Sequence, residues 1–361
     1  MPEKIPIAAG WEFQQSNADA RQWLPAAVPG DVHLDLLRNH LISDPYYRDN
    51  EAKLEWIGDA SWTYRTTITI AAKLLERRHI DLVFDGLDTS AEVFLNGTHV
   101  LTADNMFRQW RVDAKAYLHV GTNELRVEFQ PASKVMAALA AEDKTGEVAR
   151  IPQKSYLRKA GYEFGWDWGP QFVTSGIWRP VYLETWDRIR IDDLHVSQPD
   201  VSAVVAHLVA GITVQADSDM AATVQLSFGL GAASETVSQQ VPLHPGTNLL
   251  SIPVNVPHPS LWYPAGYGGQ AMYNFHARIV THAHDQDERT VRTGLRSVQL
   301  GRERDQWGRS FGFVVNGIPI FAKGADVIPF DSFPNRVTEA NYRRILQSAK
   351  DANMNMIRLW G

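Results

Sequence analysis

The chain has 361 residues, a formal net charge of −6, 44% hydrophobic residues and no cysteine. Its length supports two or three domains with cores of their own, and the missing cysteine excludes disulfides, thiolate catalysis and cysteine-ligated zinc. Mild acidity without a basic block speaks against nucleic acid as a partner.

The start, Met1-Pro2-Glu3-Lys4-Ile5-Pro6, carries no signal-like apolar run, and no stretch approaches the length of a membrane span. A soluble cytoplasmic protein is expected, or a periplasmic or secreted one if a leader was trimmed, with no membrane partner. Twelve tryptophans suit both a carbohydrate-active protein and an aromatic β-sandwich core.

Residues 1–187 predict a mainly β domain. Trp11-Glu12-Phe13 opens a short strand, and Asp31 is positioned to cap a short helix beginning near Leu34. His33 is expected to be a hydrogen-bonded structural histidine. Large and polar residues alternate from Trp62 to Ile70 and from Asn123 to Phe129, the pattern of half-buried strands. Asn96-Gly97 predicts a tight hairpin turn, and the Asn96-Gly97-Thr98 sequon needs no glycan to explain it. Short strands separated by turns suggest a jelly-roll sandwich. A short helix or insertion is expected over 136–142. Lys154, Arg158 and Lys159 read as a solvated basic patch.

The densest stretch is Gly161-Tyr162-Glu163-Phe164-Gly165-Trp166-Asp167-Trp168-Gly169-Pro170. Asp167 looks like a buried carboxylate between two indoles. A sugar site would use such a pair, because pyranose C–H faces stack on rings while hydroxyls seek a carboxylate acceptor. A turn-capping Asp in an aromatic cluster would give the same residues.

Residues 188–300 alternate again at a length that suits an immunoglobulin-like sandwich. His282, His284 and Asp285 lie in a polar loop and are not read as metal ligands; no metal or cofactor is expected. Residues 301–361 change character. A hairpin turning at Asn316-Gly317 is followed by a strand-like run from Phe321 to Pro329. Next come an amphipathic helix capped by Thr338, with Tyr342, Ile345, Leu346 and Ala349 on one face, and a strand ending at Trp360. One βαβ unit cannot bury its own sheet.

The chain resembles the N-terminal part of the β-mannosidases of glycoside hydrolase family 2. The resemblance is carried by Val28-Pro29-Gly30-Asp31-Val32-His33, by the strand ending in Asn96-Gly97, by Gly165-Trp166-Asp167-Trp168-Gly169-Pro170, by Leu261-Trp262-Tyr263-Pro264 and by Arg358-Leu359-Trp360-Gly361, in the family's order. It implies a jelly-roll sugar-binding domain (1–187), an immunoglobulin-like β-sandwich (188–300) and the truncated start of a (β/α)8 catalytic barrel (301–361). It also implies an exo-acting, retaining β-mannosidase that removes terminal non-reducing β-D-mannose. Trp166 would wall the mannose pocket and Asp167 would accept hydrogen bonds from the sugar. Arg358 would hold the catalytic carboxylate region, and Trp360 would pack against the sugar. The acid/base and nucleophile glutamates lie on later barrel strands in such enzymes, so no catalytic residue is expected within the chain. Relatives commonly have asparagine where Asp326 stands; an extra carboxylate could shift local ionisation or face solvent. Alternatives are a non-catalytic carbohydrate-binding protein and another family 2 glycosidase such as a β-galactosidase. The sequence is silent on oligomeric state.

Overall fold

The computed structural model describes residues 1–16, 22–145, 153–231 and 233–360. Gly361, the last residue of the Arg358–Gly361 run, lies outside them. The chain is mainly β and divides into two compact units. One comprises Glu3–Thr185 and Ile328–Asn341; the other comprises Trp186–Val327 and Tyr342–Trp360, with the first two residues.

The first unit is a sandwich of two antiparallel sheets. Strands Glu3–Pro6, Val181–Trp186, His79–Phe84 and Trp110–Asp113 form one sheet in that spatial order. Leu24–Pro25, Glu12–Gln15, Trp62–Ile70, Gly121–Phe129, Ala91–Leu95 and Thr98–Ala103 form the other. The alternation read from the sequence is the reason for this arrangement. Asn123, Leu125, Val127 and Phe129 face inward from one strand, and the last three share the core with Trp62, Tyr64 and Phe13 of the same sheet and Phe84 and Leu183 of the opposite one. At the expected hairpin, Asn96 and Gly97 take φ of 51° and 78°, the left-handed pair that matches strand twist.

The short helix is Val32–Arg38, and the Leu34 amide donates to Asp31 Oδ1 at 3.0 Å. The helix is tied to the sandwich through buried Asp35, which accepts from the Ala27 amide and from Tyr64 Oη, both at 2.9 Å. The insertion is a longer helix, Ala132–Glu142. Its Ala132 and Met136 pack on Leu157.

The second unit holds an immunoglobulin-like pair of sheets. Ile189–Val201, Val205–Ala216 and Gly246–Pro257 form one; Glu235–Leu243, Met220–Leu230, Tyr273–Thr281 and Gln286–Thr293 form the other. Every second residue of Val205–Ala216 is buried, from Ala206 to Ala216, which makes this strand the spine of the core. A small meander of Val298–Gly301, Gly312–Val315 and Ile318–Ile320 follows, turning at Asn316 and Gly317 with φ of 51° and 77°. Gly324–Val327 then pairs in parallel with Met356–Leu359, and the helix Glu339–Asp351 lies between them in sequence. Thr338 Oγ1 accepts from the Asn341 amide at 3.4 Å.

Within residues 301–360, Ile328–Asn341 group with the first unit and the rest with the second. Phe333 is fully buried and stacks on Phe172 at 5.1 Å, while Asn335 Nδ2 donates to the Trp178 carbonyl at 2.8 Å. These contacts hold Ile328–Asn341 in the first unit. Tyr342 and Leu346 on the helix and Leu359 on the last strand remain exposed. Among the described residues no helix is long and apolar enough to cross a membrane.

Candidate functional site

Phe164–Trp166 and Gly169–Gln171 form a two-stranded hairpin in register Phe164↔Gln171 and Trp166↔Gly169. Asp167 and Trp168 are therefore the two loop residues. Gly165 takes φ of 82° in the strand just before them, a conformation that suits glycine. The expectation of a buried Asp167 is corrected. The hairpin points its loop outward, leaving Asp167 exposed and Trp166 47% exposed. Among the described residues no other group hydrogen-bonds the Asp167 carboxylate, so the turn-capping alternative has no contact behind it. Trp168 folds back toward Tyr162, ring centroids 5.9 Å apart, and Lys154 Nζ stands 4.8 Å over the Trp166 ring. An indole half open to solvent beside a free carboxylate can stack a sugar face and accept its hydroxyls.

Of the expected basic patch, Arg158 is exposed, but the solvated reading is corrected at Lys159. Lys154 covers Trp166, whereas the Lys159 side chain is 1% exposed. Its ammonium donates to Asp88 Oδ1 at 2.5 Å and to the Thr174 carbonyl at 2.8 Å, and lies 2.6 Å from Glu163 Oε2. Glu163 Oε2 also accepts from the Thr174 amide at 3.0 Å and lies 2.6 Å from Thr174 Oγ1, which is equally close to Asp88 Oδ2. Gly176 brings these groups together. It exchanges backbone hydrogen bonds with Asp88, and a Cβ there would meet the Gly30 carbonyl at 2.6 Å and Asp31 Cα at 2.8 Å. The Asp31 helix start and the Asp88 segment thus converge on one buried pocket of charge.

Burial penalises the Lys159 ammonium, but Asp88 and Glu163 outweigh it and hold its pKa up. Burial, with the charge of Asp88, pushes Glu163 up to about 7. Burial pushes Asp31 up to about 8, against the hydrogen bond from Leu34. Asp88 and Glu163 are sealed from solvent, so no substrate reaches them as a catalytic pair.

His33 differs from its expected role as a hydrogen-bonded histidine. Its ring packs against Phe172 at 5.7 Å and Phe333 at 5.4 Å, and its Nδ1 has no partner among the described residues. Burial, then the nearby Lys159 charge, lowers its pKa to about 3.

These shifts set the pH dependence of the first unit. A carboxyl raised in the folded state adds stability that is full below its unfolded pKa and is lost as pH rises toward its folded value. Asp31 therefore weakens the fold between about 4 and about 8. His33, lowered, loses its contribution in the opposite direction, as pH falls from about 6.5 to about 3. Above pH 6.5 the carboxyl effect is uncompensated. Asp31→Asn keeps an N-cap acceptor but cannot ionise. It is expected to remove on the order of 1 kcal/mol per pH unit of stability loss between pH 6.5 and 8, the slope easing as pH nears the folded value. Denaturant unfolding of both proteins at pH 6.5 and 8 checks this; equal slopes would contradict it.

Arg358 and Trp360 belong to the second unit. Asp326 and Arg358 are register partners on the parallel strands, with Arg358 Nη1 2.8 Å from Asp326 Oδ2. Their side chains are 61% and 53% exposed, so the pair is worth at most about 1 kcal/mol. The added carboxylate thus engages the arginine that the resemblance assigns to the catalytic region. Both line a cleft of about 430 Å³ with Phe313, Phe321 and Met356. Trp360 is half-buried, and its amide donates to the Val327 carbonyl at 3.1 Å. Little in the sequence signalled the Lys159–Asp88–Glu163–Thr174 cluster. The four-residue spacing of Lys159 and Glu163 was its one local signal.

Comparison with known proteins accounts for both units. Residues 11–179 match the model for the glycosyl hydrolase 2 galactose-binding domain-like family, and residues 189–296 match that for glycosyl hydrolases family 2. Beta-mannosidase B of Thermothelomyces thermophilus is 34% identical over 367 residues, which cover 99% of this chain and 42% of that protein. The crystal structure of a β-D-mannosidase from Dictyoglomus thermophilum superposes with a TM-score of 0.94 at 35% identity, covering 99% of this chain and 44% of that one. An exo-chitosanase from Amycolatopsis orientalis shares the fold, with a TM-score of 0.77 at 24% identity over 99% of this chain and 41% of its own. The chain thus spans less than half the length of each of these relatives. With both units matched and the likeness running over nearly every residue, the chain belongs to glycoside hydrolase family 2.

Proposed function

We propose that this chain is the sugar-recognising part of an exo-acting, retaining β-mannosidase that releases terminal non-reducing β-D-mannose. The observation that carries the reading is the β-D-mannosidase likeness, 35% identical across 99% of the chain. In this reading residues 1–187 are the sugar-binding jelly roll, 188–300 the immunoglobulin-like sandwich and 301–361 the start of a (β/α)8 barrel. Trp166 stacks on the terminal sugar and Asp167 accepts its hydroxyls. Arg358 steadies the catalytic carboxylates, and Trp360 packs against the ring. Acid/base and nucleophile glutamates about 5–5.5 Å apart come from barrel strands outside these residues.

Turnover of nitrophenyl β-mannoside, β-galactoside and β-glucuronide tests the proposal. The 361-residue chain alone is expected to hydrolyse none of them. Joined to a complete barrel, it is expected to prefer the β-mannoside. Turnover by the purified chain alone, or a higher kcat/KM on the galactoside, would overturn it.

A further inference from the structure

A two-stranded hairpin with two paired positions is marginal by itself, so something else must fix where Trp166 and Asp167 point. Part of the support is at the side: the Gln171 amide donates to Glu51 Oε1 at 2.5 Å. The rest lies at the base. Glu163 immediately precedes the first strand, Phe164–Trp166, and Thr174 stands three residues beyond the second, Gly169–Gln171. Their side chains meet across the open end of the hairpin. Glu163 Oε2 takes the Thr174 amide at 3.0 Å and lies 2.6 Å from its hydroxyl, and the same hydroxyl reaches Asp88 Oδ2 at 2.6 Å. Lys159 holds both carboxylates and the Thr174 carbonyl from beneath.

We infer that Glu163 and Thr174 are positioning residues: they clamp the base of the Trp166–Asp167 hairpin onto the buried Lys159–Asp88 pair and so set the direction in which the loop meets substrate. The inference rests on the sugar-binding reading of the hairpin. Hydrogen bonds to buried charges are the strong ones, and a clamp on both flanks restrains the whole loop rather than one strand. The main apolar core is built from the two large sheets, and neither Glu163 nor Thr174 is part of it.

The test separates orientation from stability. In the 5-fluorotryptophan-labelled chain, Trp166 is assigned by Trp166→Phe and followed by fluorine NMR, with core Trp11 and Trp62 as internal controls. Thr174→Val removes the bridging hydroxyl and keeps the shape. It is expected to shift and broaden the Trp166 resonance while Trp11 and Trp62 stay in place. Thr174→Ser should restore the wild-type resonance. Glu163→Gln, which keeps an acceptor for the Thr174 amide, should fall between the two. In the protein joined to a complete barrel, Thr174→Val should raise KM for the β-mannoside on the order of ten-fold, since small misplacements of binding groups are amplified in this way. An unmoved Trp166 in both Thr174→Val and Glu163→Gln would overturn the clamp. A displaced Trp166 with unchanged KM would uphold the clamp and overturn the substrate role of the hairpin.

Discussion

Replacing Lys159 by methionine is expected to destabilise the sandwich that carries the hairpin by about 3–5 kcal/mol, because two buried carboxylates lose their counter-charge. In a unit of this size that lowers the melting temperature on the order of ten degrees. The methylene stem is replaced by a side chain of similar length, so packing loss is minor. What remains is Asp88 and Glu163 both facing Thr174 Oγ1 at 2.6 Å with no cation between them. Either one takes up a proton or the segment opens. The penalty should shrink at pH 5, where protonation of Glu163, already pushed up to about 7, is favoured. Adding Glu163→Gln to Lys159→Met should recover part of the loss, the non-additivity expected of groups in one network. Thermal unfolding of the two variants checks this. A melting temperature within one degree of wild type for Lys159→Met would restore the solvated reading of that lysine.

That lysine marks the limit of what the sequence could tell. Alternation located the strands because a half-buried sheet imposes period two on its residues. The Asn96-Gly97 and Asn316-Gly317 turns were legible because few residue pairs adopt their dihedral angles. Asp31 announced its helix because a cap is a local device. Lys159 gave no such signal, since its partners Asp88 and Thr174 are distant in sequence and meet it only after Gly176 lets two backbones approach. Asp167 misled in the other direction. Flanking tryptophans suggested burial, but Asp167 sits at the tip of a two-residue hairpin loop and is exposed, while Trp168 beside it folds back toward Tyr162. Phe333 was hidden for a third reason: it lies in a stretch without periodicity, and its burial depends on Phe172 and His33, far away in the chain. Trp166, Asp167, Arg358 and Trp360 came from the family resemblance alone, and the structure adds the exposure of the hairpin and the Asp326–Arg358 pair.

The Asp167 carboxylate carries the second large effect. It is exposed, and among the described residues no other group hydrogen-bonds it, so its acceptor oxygens are free for sugar hydroxyls. Hydrogen bonds to a charged acceptor contribute about 1.5–3 kcal/mol each, so in the protein joined to a complete barrel Asp167→Ala should lower kcat/KM roughly ten-fold to more than a hundred-fold. Asp167→Asn keeps the shape with an amide and should lie between. The loss is expected in both KM and kcat, because contacts remote from the bond being broken also help to hold it in place. The decisive measurement is kcat/KM on a β-mannoside together with melting temperature, taken on one preparation of Asp167→Ala. A kcat/KM lowered at least ten-fold with an unchanged melting temperature is the predicted result; unchanged kcat/KM with a lowered melting temperature would contradict sugar recognition by this hairpin.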